Sequence, residues 1–260
     1  MSIPSTSPRC GLQRWPTMPE SLPGQVRIAA NLAETVAAWL MDRAAAAIGD
    51  HGRFTLAVSG GSTPRPLYQL LAGEPWRTRA DWQRWRIYFA DERACPPDDP
   101  ASNYRLIDET LLRQVPVDRD HIYRMEGEAP DPAAAAARYA ELLVRTLPRG
   151  PCGAPRLDCI LLGLGENGHT ASLFPGQPAL RVQDTWATRG RADYAPYDRI
   201  TLTYATINAA AAVAFLVAGA NKADALRGVL DGSVPAAGVA PREGELIWFL
   251  DEAAARSIAA

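Results

Sequence analysis

Histidine is scarce in this chain, with three residues among 260, at positions 51, 121 and 169. The four cysteines, Cys10, Cys95, Cys152 and Cys159, contain no Cys-x-x-Cys pair. These shortages argue against a zinc site and against a disulfide scaffold, and unpaired thiols are expected. No apolar run approaches the roughly 20 residues needed to span a bilayer. The first residues, MSIPSTSPRCGLQRWPTMPESLPG, lack the apolar centre of a secretory signal, so a cytoplasmic protein is expected. Charge of one sign is missing too: 27 Lys and Arg face 29 Asp and Glu, a formal net charge of −2. No global field exists to hold nucleic acid or an anionic membrane, and neither partner is expected. An anionic ligand would need cations gathered locally.

What is present is the composition of a soluble globular protein, 47% hydrophobic and 22% charged, with enough length for a sizeable core. Residues 1–25 read as a Pro- and Ser-rich arm, with Met18 a second candidate start, and residues 26–260 read as one domain without an internal linker or repeat. Leu32, Val36, Trp39, Leu40 and Ala47 recur at helical spacing, which predicts a helix over about 28–48. Short apolar runs predict strands at 54–58, 85–89, 157–162, 212–217 and 246–250, with weaker strand character at 121–124 and 199–203. Helices are expected near 64–71, 103–113, 133–147 and 219–230, and Asp251 is placed to cap a closing one. Strands alternating with helices imply an α/β fold, a mostly parallel sheet covered on both faces.

Several strand ends carry chemistry. The run Leu157–Leu162 stops at Gly163-Leu164-Gly165-Glu166-Asn167-Gly168, and His169 follows at once. At the carboxyl end of a buried strand, an imidazole meets a ligand crevice and, neutral near pH 7, can take a proton from water. The competing reading is a histidine that satisfies loop backbone. His51 and His121 lie in ordinary surface contexts. Ser59-Gly60-Gly61-Ser62-Thr63-Pro64 closes another strand: its glycines let backbone approach a ligand, and the helix behind it offers N–H groups and a positive dipole end to a phosphate. The same segment also reads as a tight turn with Thr63 as helix cap. It is neither a Walker loop nor a dinucleotide fingerprint. Asp91-Glu92-Arg93 supplies an acid and a base after a third strand, or else a solvated ion pair. Lys222 and Arg199, each at the start of an element, could aim cations into the crevice, although read singly each is an ordinary surface cation.

SGGSTP, DER, SNY, GLGENGHTASLFPG, RITLT, NKADAL and the closing PAAGVAP with WFLDEAA stand in one order, and together they resemble the 6-phosphogluconolactonases, over about Leu32 to Ala255. That family shares its fold with glucosamine-6-phosphate deaminases. The resemblance implies a three-layer α/β/α sandwich with a Rossmann-like sheet. It implies one lactonase domain over 26–260 acting on a small phosphosugar lactone; the sequence leaves the oligomeric state open, with a monomer favoured. The reaction would be hydrolysis of 6-phosphoglucono-δ-lactone to 6-phosphogluconate in the pentose phosphate pathway, without metal or organic cofactor. By motif, Ser59, Gly60, Gly61, Ser62 and Thr63 would cradle the phosphate, and Arg93, Arg199 and Lys222 would supply counter-charge. Asn103, Gly165 and Gly168 would complete the substrate site. His169 would be the general base, with Asp91 and Asn167 holding sugar hydroxyls or orienting it. Many relatives, and the deaminases, carry Asp where this chain has Asn167. A deaminase also needs an acidic residue shortly after the histidine, and Thr170–Phe174 offers none. Both differences favour ester hydrolysis, which needs one base, over proton-shuttling sugar chemistry.

Overall fold

The five strong apolar runs become strands of one sheet. The computed structural model describes residues 21–256, and its strands are β1 (Gln25–Ala29), β2 (Phe54–Val58), β3 (Trp85–Phe89), β4 (Asp91–Arg93), β5 (Ile122–Tyr123), β6 (Cys159–Gly163), β7 (Ala187–Arg191), β8 (Asp198–Leu202), β9 (Ala212–Val217) and β10 (Glu245–Asp251). Its α-helices are α1 (Leu32–His51), α2 (Arg65–Ala72), α3 (Trp76–Arg79), α4 (Asn103–Ile107), α5 (Pro132–Thr146), α6 (Tyr204–Ile207), α7 (Ala223–Asp231) and α8 (Glu252–Arg256). Seven strands pair in the order β1-β10-β9-β6-β2-β3-β5, every pair parallel. Every residue of β2 and β9 is buried, which requires cover on both faces, and helices supply the outer layers of an α/β/α sandwich. The chain runs from β2 outward to β3 and β5, then returns to β6 on the other side of β2. The switch point of the sheet therefore lies between β2 and β6, where an open α/β sheet forms a crevice beyond its strand ends.

A second, antiparallel sheet in the order β4-β8-β7 completes the molecule. This corrects the placing of residues 199–203 in the parallel alternation: β8 belongs to the small sheet. Only Ala90 separates β3 from β4, and it joins the two sheets. Its N–H donates to the Val58 carbonyl at 2.9 Å, and its carbonyl accepts from Leu202 N–H at 2.9 Å.

Other boundaries move. The helix expected from about residue 28 begins at Leu32, because residues 25–29 form edge strand β1 beside β10. Residues 1–20 of the expected arm lie outside the described residues. Its last residues are packed: Leu22 is buried, and the Trp248 indole N–H donates to the Pro23 carbonyl at 2.8 Å. The helix expected over 103–113 leaves α geometry at Ile107 and continues as a wider π turn over Asp108–Leu112. Asp251 does cap α8, accepting from Ala254 N–H at 2.7 Å. Among the described residues no helix is long and apolar enough to cross a membrane, and no group of three or more His, Cys, Asp or Glu side chains is placed to hold a metal ion.

Candidate active site

Loops after three strands of the parallel sheet and two strands of the small sheet line one cavity at the switch point. It is lined by the Ser59–Pro64 turn after β2, Asp91 and Arg93 of β4, Asn103, the Gly163–Gly165 turn with His169 after β6, Arg199 of β8, and Lys222 after β9. Ala171, Ser172, Phe174 and Tyr194 complete the lining. The structure thus brings together Ser59, Gly60, Gly61, Ser62, Thr63, Asp91, Arg93, Asn103, Gly165, His169, Arg199 and Lys222 from the expected set. Asn167 and Gly168 stand behind His169 instead of facing the cavity.

Asn167 fixes the state of the imidazole. Its Oδ1 accepts the His169 main-chain N–H at 3.2 Å and lies 2.6 Å from ring Nδ1. Because that atom accepts from a backbone donor, it is the amide oxygen, so Nδ1 must carry the proton and donate to it. Nε2 is left with the lone pair. Burial lowers the His169 pKa below the ordinary histidine value; Asp91 and Asp193 oppose this, while Lys222 and Arg199 reinforce it. The ring is therefore a neutral base near pH 7. Gly165 makes room for it: a Cβ there would sit 2.0 Å from Nδ1. Gly168, at φ +75°, turns the chain, and its carbonyl accepts from Ala236 N–H at 3.0 Å.

The cationic side comes from strand register. β4 and β8 are antiparallel partners with Arg93 directly opposite Arg199, two like charges side by side on one face. Such a pair is destabilising on its own. Arg199 is only 1% exposed, and its Nη2 is buried without a hydrogen-bond partner. Its other nitrogen, Nη1, donates to the Pro196 carbonyl and, at 3.3 Å, to that of Asp198. Burial, with Arg93 next, pushes the Arg199 pKa down. A buried guanidinium with an unmet donor and a like-charged neighbour is suited to receive an anion.

The backbone N–H groups of Gly60, Gly61, Ser62 and Thr63 have no partner among the described residues. They lie beside those cations at the start of α2, an arrangement suited to a phosphate. Gly60 is required here, since a Cβ would meet Asn103 Oδ1 at 1.7 Å. Asn103 has little room to yield: its Nδ2 donates to the Asp91 carbonyl at 2.8 Å, its main-chain N–H donates to Glu92 Oε1 at 2.7 Å, and its Oδ1 accepts from Arg93 Nη1. Glu92 is a structural carboxylate under the start of α4, accepting main-chain N–H groups of Arg93, Asn103 and Tyr104.

Two expected ligands have other commitments. The Ser59 hydroxyl donates to the Leu161 carbonyl at 2.8 Å, tying the turn to β6. Asp91 accepts from the Ser172 hydroxyl at 2.6 Å on one oxygen and from Asn103 Nδ2 at 3.2 Å on the other. Lys222 is carried on a turn tethered to the His169 loop by Asn221 Nδ2 donating to Glu166 Oε1 at 2.6 Å. It is also the only lysine in the chain. That signal was present in the sequence, where every other basic side chain except histidine is arginine. Phe174 and Tyr194 were not singled out from sequence, where the tyrosines read as core or rim packing.

Residues 27–248 match the family model described as glucosamine-6-phosphate isomerases/6-phosphogluconolactonase. A 6-phosphogluconolactonase of Nostoc sp. is 39% identical over 240 residues, covering 90% of this chain and 95% of that protein. One of Synechocystis sp. is 41% identical over 217 residues, covering 82% and 88%. The solved structure of 6-phosphogluconolactonase from Trypanosoma brucei superposes with a TM-score of 0.79 at 29% identity, covering 91% of this chain and 99% of that one.

Proposed function

Since the chain belongs to the glucosamine-6-phosphate isomerase/6-phosphogluconolactonase family, we propose that it hydrolyses 6-phosphoglucono-1,5-lactone to 6-phosphogluconate, as a single-domain cytoplasmic enzyme. The observation that carries this reading is one cavity holding a neutral imidazole with its Nε2 lone pair free and a buried guanidinium, that of Arg199, whose Nη2 has no hydrogen-bond partner.

The phosphate is anchored by the N–H groups of residues 60–63 with Arg199, Arg93 and Lys222. His169 Nε2 takes a proton from a water molecule whose oxygen attacks the lactone carbonyl. The imidazolium that forms keeps its Nδ1–H on the Asn167 amide. Cavity N–H groups or a neighbouring cation stabilise the tetrahedral oxyanion. When the oxyanion collapses, the bond to the ring oxygen breaks, and that oxygen receives the proton held on Nε2. One water is consumed and the imidazole is returned neutral. No covalent nucleophile is needed: Ser59 and Ser172 both have their hydroxyl protons donated elsewhere.

Moving a proton between sugar carbons would require a further ionised group beside His169. Asn167 cannot ionise, and residues 170–174 after the histidine include no acid. The test is to follow loss of the phosphorylated lactone with spontaneous hydrolysis subtracted, alongside ammonia release from glucosamine 6-phosphate. Lactone loss well above the blank without ammonia release is expected. No rate above the blank would refute the proposal, and ammonia release would replace it.

A further inference from the structure

Hydrogen bonding accounts for only part of how His169 is held. The Nδ1 bond to Asn167 fixes the direction of the ring within its plane, but it does not fix the tilt of that plane. Phe174 does. It is buried, yet it borders the cavity, and its ring lies almost parallel to the imidazole, 22° apart with centroids at 4.2 Å. The chain is bent to bring it there. Thr170 and Leu173 close a tight turn through a 2.9 Å hydrogen bond, and Ala171 inside it adopts φ +47°, a left-handed conformation that is strained for a residue with a side chain. A strained non-glycine residue at that bend persists where its surroundings over-determine it. What the bend achieves is the return of residue 174 to the face of residue 169.

The far side of Phe174 is braced in turn. Tyr194, on the hairpin between β7 and β8, meets it edge-on, with centroids 5.9 Å apart at 76°. The Arg199 guanidinium lies over the Tyr194 ring at 5.3 Å. Arg199, Tyr194, Phe174 and His169 therefore form one continuous stack across the cavity wall. Aromatic pairs of these geometries are favourable beyond the area they bury, and the cation over the Tyr194 ring adds to them.

We propose that Phe174, braced by Tyr194, is the positioning residue that sets the plane of the His169 ring and so aims Nε2 at the attacking water. This rests on the reading of His169 as the base. Neither aromatic side chain touches a proton in the reaction; both act through the imidazole. A misplacement of about 1 Å at a catalytic group can cost on the order of 100-fold in rate.

The test uses Phe174→Leu, which keeps apolar volume but removes the flat face, and Phe174→Tyr, which keeps the face. Phe174→Leu should lower kcat about 10- to 100-fold while KM for the phosphorylated lactone stays within about twofold. Phe174→Tyr should recover most of the loss. Tyr194→Ala, at a half-exposed position where folding is not at stake, should lower kcat to a smaller extent, and Tyr194→Phe should restore it. A spectroscopic signature accompanies these: the ring protons of His169 should carry an upfield ring-current shift in the wild type that is lost in Phe174→Leu. With three histidines in the chain, the resonance is assigned by its absence in His169→Ala. A normal kcat in Phe174→Leu with the ring-current shift lost would overturn the proposal. So would a rise confined to KM, or equal losses in the Leu and Tyr variants, which would reduce Phe174 to a filler of space. Should Phe174→Leu fail to fold, the Tyr194 pair decides: unchanged kcat in Tyr194→Ala overturns the brace. A wild type without lactonase activity would tell against the proposed function instead, and the ring-current shift would then decide the stack by itself.

Discussion

Asn167 brings no charge to His169, which leaves burial as the largest influence on how the imidazole titrates. Burial holds the imidazole below the ordinary histidine value. A general base works in its neutral form, so if His169 has that proposed role its lowered pKa extends activity toward acid: kcat/KM should fall at a pH below the ordinary histidine value. In Asn167→Asp a carboxylate would accept the Nδ1 proton, stabilise the imidazolium and raise the pKa. The acid limb of the kcat/KM profile should then move to higher pH, and an unmoved limb would show that residue 167 does not govern the base. His169 was legible from sequence because a glycine-rich turn after an apolar run exposes whatever follows it. The commitments of Ser59 and Asp91 were not legible, since their partners Leu161 and Ser172 are about 100 and 80 residues away, and only the fold brings them together.

At the scale of elements, the cationic side of the cavity is a product of pairing. Nothing in the tripeptide Asp91-Glu92-Arg93 reads as a strand: it is short, fully charged and follows a stronger apolar run. The sequence Ala187–Arg191 likewise carries no apolar alternation. The antiparallel sheet they form with β8 was therefore missed, and with it the register that sets Arg93 against Arg199. The strands of the parallel sheet were found because burial on both faces makes them continuously apolar. Edge strand β1, exposed along most of its length, lacked that signature. The register has an energetic consequence. Replacing Arg199 by Met removes a buried, incompletely bonded charge beside a like charge, and in the absence of ligand should leave stability unchanged or raise it by about 1–4 kcal/mol. Inorganic phosphate should raise the melting temperature of the wild type and have little effect on Arg199→Met. Thermal melts with and without phosphate check both. A destabilised variant, or equal stabilisation of the two proteins by phosphate, would show that Arg199 serves the fold and not the anion.

Across the whole molecule, the site exists because two sheets meet at one residue. Ala90 bonds to β2 on one side and β8 on the other, so the strand ends that present residues 59–64 and His169 are held against the strands that present Arg93 and Arg199. The parallel sheet alone supplies His169 and the 59–64 turn, and the small sheet adds the cations that, on the proposed function, would select a phosphorylated sugar. The general architecture followed from the alternation of strands and helices. The junction did not, because it depends on the chain passing from one sheet to the other at Ala90, which no local pattern marks. The most direct test of this arrangement is the steady-state rate of phosphorylated lactone hydrolysis by His169→Ala, with the spontaneous rate subtracted and binding of 6-phosphogluconate measured in parallel. A loss of about 100- to 10,000-fold in kcat with product binding preserved is expected of a general base held apart from the phosphate anchor. Wild-type turnover by His169→Ala would contradict it.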